Sequence, residues 1–392
     1  MQKIYKMHGM GLRTVVKLGT FVSVVLFCMA VGYYAFMQLD TAERNRDVDF
    51  FSLIPQSSIS VLESPNISAF MNELPMLNYA EEIEKLQSSS LFSFLLNGFN
   101  EYATTNAHGL SSEMSKIAVS FHAPFTPLDQ VVYFGMGSAD EKMLEAMLHE
   151  YSSTNFLPKE EKYRGKSILV YPLGTDEYLA SYSESGFLVI SLQKRLIEQV
   201  IDAIQDETSL KDDEVFASLL QHKKTYGFLT LYSRSSAMPF LQMGERCWSE
   251  YDFHANSDVL YLTGETYMPD TCTCLNTLWE ERLDSTYYEP YKVLFSTNKD
   301  SVAYYIDQAF ETEEPFVRNL FNQCVANLSK ETAYTLVVDM QEAADYPERF
   351  AAHMPQYLQA KAPLLSPFIF SAQYVWNGDN RLSHIWTFTY KD

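Results

Sequence analysis

Positive charge is scarce in this chain. Its 392 residues hold 29 lysines and arginines against 50 aspartates and glutamates, a formal charge of −21. So acidic a surface repels phosphates, which excludes a nucleic-acid partner and a body lying flat on anionic lipid. Also missing are the short signatures of common enzyme chemistries: no Gly-x-Ser-x-Gly, no His-Glu-x-x-His, no phosphate loop, no Gly-x-Gly-x-x-Gly. Carboxylates are so abundant that no pair can be assigned to acid–base work from spacing. The reading is therefore of a non-enzyme without catalytic residues, cofactor or metal. What is present is enough apolar sequence to build a core, 47%, with 26 Tyr and 26 Phe, a content that favours extensive β structure.

Acid is absent altogether from residues 1–39, where Lys3, Lys6, Arg13 and Lys17 stand. Setting those four aside leaves the rest of the chain at −25. Residues 18–39, LGTFVSVVLFCMAVGYYAFMQL, carry no charge and at ~1.5 Å per residue span a hydrocarbon core of ~30 Å. Basic residues before this run and Asp40, Glu43 and Asp47 after it place residues 1–17 in the cytoplasm and the remainder outside. The expected arrangement is a single-pass anchor in the inner membrane, with residues 40–55 as a tether and the body in the periplasm. A cleaved signal peptide is the alternative, with small residues at Ala30-Val31-Gly32. The apolar run continues to Met37, longer than such peptides need. Lipidation at Cys28 is disfavoured by Phe27 before it.

Two stretches share a pattern: SFHAPFTPLDQVVYFG from Ser120 and DFHANSDVLYLTG from Asp252. Each reads Phe-His-Ala, a turn, an Asp and an apolar run. The likeness extends further, because LVISLQKRLIEQVIDAI from Leu188 aligns with VLFSTNKDSVAYYIDQA from Val293 without a gap. Ile197, Val200, Ile201 and Ile204 form a helical face in the first; Val302, Tyr305, Ile306 and Ala309 take its place in the second. A strand, a helical stretch and a hairpin then recur three times, beginning at SISVLES, YGFLTLYS and YTLVVDMQ. Asn377-Gly378 is expected to turn the last hairpin. His122 and His254 so fall at equivalent places, which internal duplication explains without chemistry.

Strands arriving as hairpins with helices between predict an α+β fold: antiparallel sheets with helices packed on one face, built from two to two-and-a-half repeats. The boundaries expected are 56–225 for the first repeat and 226–392 for the second with its closing hairpin. One long sheet and two subdomains side by side both fit.

The segment SLIPQSSISVLES just after the anchor, the paired amphipathic helices and the terminal FIFSAQYVW and IWTFTY strands together resemble the bacterial membrane-anchored envelope proteins grouped as domain of unknown function 3352. The resemblance implies an extracytoplasmic protein without an assigned activity.

Beyond Cys28 the cysteines are Cys247, Cys272, Cys274 and Cys324. Cys324 extends an apolar helical row and reads as a core thiol. Cys247 begins one hairpin strand and Cys272 and Cys274 follow the returning one, so a disulfide from Cys247 to either is the candidate pairing in an oxidising compartment. Cys272-x-Cys274 with His254 could offer zinc ligands, but the matching second pair of a structural site is missing. Gly135 to Ser138, GMGS, reads as a tight strand-to-helix turn, and His149 and His384 as structural or exposed. Asn66 and Asn327 head glycosylation patterns that carry little weight in a bacterial envelope protein.

The function expected is a membrane-anchored binding or scaffolding module whose partner is an envelope protein or polymer. The alternative is a carrier of lipid or another hydrophobic ligand, with a cleft under a curved sheet.

Overall fold

The computed structural model describes residues 48–86, 116–124, 126, 128–137, 157–173, 177–221, 227–234, 247–267, 285–311, 319–350, 353–354, 356–378 and 381–391. Residues 18–39 lie outside this set, and no helix among the described residues is long and apolar enough to cross a membrane.

Fifteen strands form a single antiparallel sheet. In chain order they are β1 (Ser60–Ser64), β2 (Ile117–Phe121), β3 (Gln130–Gly135), β4 (Lys159–Tyr163), β5 (Lys166–Pro172), β6 (Tyr178–Glu184), β7 (Phe187–Ser191) and β8 (Leu229–Ser233). There follow β9 (Trp248–Ala255), β10 (Val259–Tyr267), β11 (Thr286–Glu289), β12 (Val293–Ser296), β13 (Tyr334–Asp339), β14 (Phe368–Gly378) and β15 (Arg381–Tyr390). In space the order is β11-β12-β13-β14-β15-β10-β9-β8-β1-β2-β3-β7-β6-β5-β4. Each strand-helix-hairpin unit of the sequence becomes a three-strand meander, β1-β2-β3, β8-β9-β10 or β13-β14-β15. Pairing of β8 with β1, Leu231 opposite Leu62, carries the sheet across residue 225 without a break.

The expected α+β fold, antiparallel sheets with helices packed on one face, is thereby overturned: of the two arrangements left open the described strands form the one long sheet, and helices cover both its faces. The helices are α1 (Ile67–Glu73), α2 (Ala80–Leu86), α3 (Lys194–Gln205), α4 (Glu214–Gln221), α5 (Lys299–Glu311), α6 (Leu320–Ala326), α7 (Met340–Asp345), α8 (Pro347–Phe350) and α9 (Gln356–Leu365). Directly opposed residues share a face, so register sorts the core. Val61, Tyr133, Val189 and Tyr232 pack under α3, α4 and the 3-10 turn Phe50–Ser52. Leu294 and Val337, on that same face at the far flank, pack under α5 and α6. The opposite face holds Val119, Val132, Phe134 and Ile190 with Ile67 of α1. Continuous with them are Tyr251, Leu336, Phe370 and Trp386 under α2, α7, α8 and α9. The physical reason is in the strands: β3 (QVVYFG) and β7 (FLVIS) are buried at every position, and a strand without polar alternation needs cover on both sides.

Local chemistry holds the helices in place. Asp213 accepts from the amides of Val215 and Phe216 at 2.9 and 3.1 Å and so caps α4; Asn319 and Asp339 do the same for α6 and α7. On the sheet side of α4, Phe216 meets Phe51, Tyr232 and Trp248 edge-on at 5.0–5.3 Å, an arrangement favoured by the ring quadrupoles. Arg164 and Gly165, at φ 47° and 81°, join β4 to β5 in the left-handed turn that matches strand twist. The last hairpin departs from expectation. Asn377 and Gly378 lie in β14 at a register shift, and pairing continues to Gly378 opposite Arg381, so this dipeptide belongs to the strand.

Candidate functional site

The densest set of chemically capable side chains lies where β2 leaves the sheet. Strand residues two apart face the same side, which brings Ser120 and His122 together. The Ser120 hydroxyl is 2.8 Å from His122 Nε2 and 3.0 Å from the Tyr133 hydroxyl on the neighbouring β3. The loop that follows is closed by Asp129, whose Oδ2 accepts from the amide and hydroxyl of Thr126 at 2.9 and 2.6 Å, and whose Oδ1 accepts from Gln193 at 2.7 Å. The His122 amide donates to the Asp129 carbonyl at 2.9 Å.

Electrostatics follow from enclosure. Burial, reinforced by the nearby Arg195 charge and opposed by Asp129, lowers the His122 pKa to about 4. Burial raises the Asp129 carboxyl, but the hydrogen bonds from Thr126 and Gln193 and the Arg195 charge outweigh it, and the net shift is downward. Burial pushes the Tyr133 hydroxyl well above its ordinary range. At neutral pH the imidazole is therefore uncharged beside the Ser120 hydroxyl.

A serine hydrogen-bonded to histidine is the starting geometry of nucleophilic catalysis. Here Ser120 has no exposed surface and His122 is 3% exposed, while Phe50 approaches Tyr133 with ring centroids 6.4 Å apart. No reactant can reach the hydroxyl, and the trio exchanges its hydrogen bonds inside the sheet.

His254 occupies the corresponding place in β9. It is half-buried, stacks on Tyr261 at 4.8 Å and lies 3.3 Å from the Thr263 hydroxyl. The two histidines are not brought together. His384 sits in β15 and is buried; its Nε2 donates to the Glu250 carbonyl at 2.9 Å, reaching over β10. Gly264 makes that reach possible, because a Cβ there would lie 2.0 Å from the same carbonyl oxygen and 3.2 Å from His384 Nε2. Desolvation lowers the His384 pKa to about 4, against the contrary pull of the carbonyl.

A second group, Glu63, Thr230, Tyr232, Glu250 and Asp252, lines the middle of the face that carries α4. Thr230 donates to Asp252 at 2.5 Å and Tyr232 to Glu63 at 3.4 Å. No three His, Cys, Asp or Glu side chains among the described residues are placed to hold a metal ion. Cys247 is buried just before β9; Cys272 and Cys274, its candidate partners, lie outside the described residues, as does His149. Cys324 packs on the core beneath α6, its thiol 3.5 Å from the Thr389 hydroxyl and its pKa raised by burial. In GMGS, the Met136 amide is spent on the Gly186 carbonyl at 2.9 Å.

Sequence reasoning missed the Ser120–His122–Tyr133 contact, although Ser-x-His on a predicted strand was a sufficient signal. It also missed an aromatic rim at the β11 edge. Tyr287, Tyr291, Tyr304 and Tyr346 are 43–58% exposed there. On the α5 face of that edge Tyr288 and Tyr305 pack at 4.2 Å and Tyr304 meets Tyr305 at 5.2 Å; on the other face, with Tyr287, Arg349 lies over Tyr346 at 5.0 Å. Glu289 joins the set, accepting from Tyr287 and Lys292 and pairing with Arg349.

No protein-family model matches this chain, and none of the curated proteins does. Among solved structures it is similar to TP0453, in its crystal form IV, at 9% identity across 63% of this chain and 91% of that one. The TM-score is 0.30, too low for any argument about fold or function.

Proposed function

We propose that this is a membrane-anchored, extracytoplasmic protein of the bacterial envelope that binds or scaffolds an envelope protein or polymer and performs no chemistry on it. The charge-free residues 18–39 behind a basic tail, and the resemblance to the family of unknown function 3352, support the placement. The observation that carries the binding reading is the aromatic rim at β11. Tyrosines offer large contact area with few rotatable bonds, and exposed clusters of them mark contact surfaces. Among the described residues Ser120, His122 and Tyr133, by contrast, spend their hydrogen bonds on one another in the interior.

The test is in-cell crosslinking from a photoreactive residue beside β11, followed by identification of the captured species. Replacing the exposed tyrosines with serine, as Tyr287→Ser together with Tyr304→Ser, should abolish capture of that species while leaving thermal unfolding within a few degrees. Capture that persists in the double variant removes the rim from the function. Turnover of any compound that a single substitution abolishes would remove the non-enzymatic reading, and lipid copurifying from membranes in native mass spectra would favour a carrier instead.

A further inference from the structure

The chain enters the body abruptly. Val48 already packs against the core, and Phe50, Phe51, Leu53 and Ile54 are all at most 8% exposed. Phe51 meets Phe216 at 5.0 Å and Tyr232 at 5.4 Å. Backbone bonds continue the hold: Leu210 donates to the Ile54 carbonyl at 2.8 Å and Gln56 to Thr208 at 3.1 Å. Asp49 caps the 3-10 turn through the Phe51 amide and pairs with Lys211 at 3.3 Å. Only residues 40–47 separate the apolar run from this fixed point. Eight residues reach at most ~28 Å and as a flexible chain average ~16 Å.

The fixed point lies at one end of the strands. Phe51 packs on Tyr232, which stands opposite Val61 near the start of β1, and Ser60 there faces Ser233 at the end of β8. Ser233 is opposite Ser249, near the start of β9, whereas the turn Asn256–Asp258 lies beyond its other end. From Ser249 to Ser257 at ~3.3 Å per residue is about 25 Å, longer than the average tether.

Resting on the anchored reading of residues 18–39, we infer that the strand end bearing Ser57, Glu207 and Lys211 is the surface facing the bilayer, and that the end bearing the Asn256–Asp258 turn and the C-terminal Lys391 points away from it. The partner at the near end is a phospholipid headgroup layer met at close range: the exposed groups beside the entering chain are polar and of mixed sign, and Leu128 and Leu157, 54% and 82% exposed, stand at the same strand end. Tyr291 and Tyr346, beyond the ends of β11 and β13, belong to the distal end and remain open to partners in the compartment.

The test uses the full chain in its own membrane. Benzoylphenylalanine is placed singly at Ser57, Lys211 or Ser257, each exposed, and lipid adducts are counted by mass spectrometry after irradiation. Adducts from positions 57 and 211 should exceed those from 257 by about threefold or more, since the average tether is shorter than the span between them. Equal or reversed yields from protein that retains residues 1–39 overturn the orientation alone. Protein recovered without those residues, or released by an alkaline wash, overturns the anchored reading and this inference with it.

Discussion

Two Phe-His-Ala segments occupy the same place in successive meanders, yet their histidines live in different surroundings. His122 is buried, hydrogen-bonded to Ser120, which also meets Tyr133, and its proton affinity is reduced. His254 lies half-open on the Tyr261 ring, with Thr263 beside it. The tripeptide does not decide this. The first hairpin runs on from Phe121 to Gln130 before it pairs again, where the second turns through Asn256–Asp258 at once, and the entering chain sets Phe50 against Tyr133 in the first.

The largest expected effect tests the close approach peculiar to the second meander. Gly264→Ala forces a Cβ into the Glu250 backbone at 2.0 Å. Because backbone rather than a mobile side chain must yield, a loss of about 3 kcal/mol or more is expected. Denaturant unfolding measures it, and an unchanged midpoint would mean that His384 does not cross β10 as described.

Acid sharpens the contrast next. His122 and His384 titrate near 4 when folded and near 6.5 when unfolded, so the unfolded chain binds more protons between those values. Stability is therefore complete above pH 6.5 and falls as pH drops toward 4, by up to about 3 kcal/mol for each histidine. His122→Gln should flatten that decline, read as unfolding midpoints at pH 7 and pH 4.5. A slope identical to that of the parent would show that His122 is not held neutral.

Smaller effects separate the two networks. Tyr133→Phe leaves Ser120 with one hydrogen bond fewer in a fully buried setting and should cost about 1–2 kcal/mol. His254→Ala removes a half-exposed ring stack and the 3.3 Å contact with Thr263 and should cost about 0.5–1 kcal/mol. Thermal unfolding that ranked these two in reverse would undo the comparison.

Much of the architecture was legible beforehand. The meander strands WSEYDFHA and DVLYLTGETY are read off the sequence almost to the residue, because alternation and turn residues act over a few positions. The apolar face of α3, with Leu196, Ile197, Val200 and Ile201 buried, is likewise written in its helical spacing. The number of sheets was not legible. Whether β8 joins β1 depends on two edges separated by about 170 residues, and no local pattern encodes that pairing. The unbroken apolar runs of β3 and β7 did hold the clue to cover on both faces.

Composition and order alone determined the acidic character, the charge-free run near the N-terminus and the threefold strand-helix-hairpin rhythm, since each is a property of neighbours along the chain. Only the tertiary structure decided that fifteen strands share one sheet, that Ser120, His122 and Tyr133 meet out of reach of solvent, and that tyrosines from β11, α5 and the turn before α8 stand exposed at one flank, on the two faces of the sheet. Burial and long-range pairing arise from how distant segments exclude water from one another, and that exclusion exists only once the chain has folded.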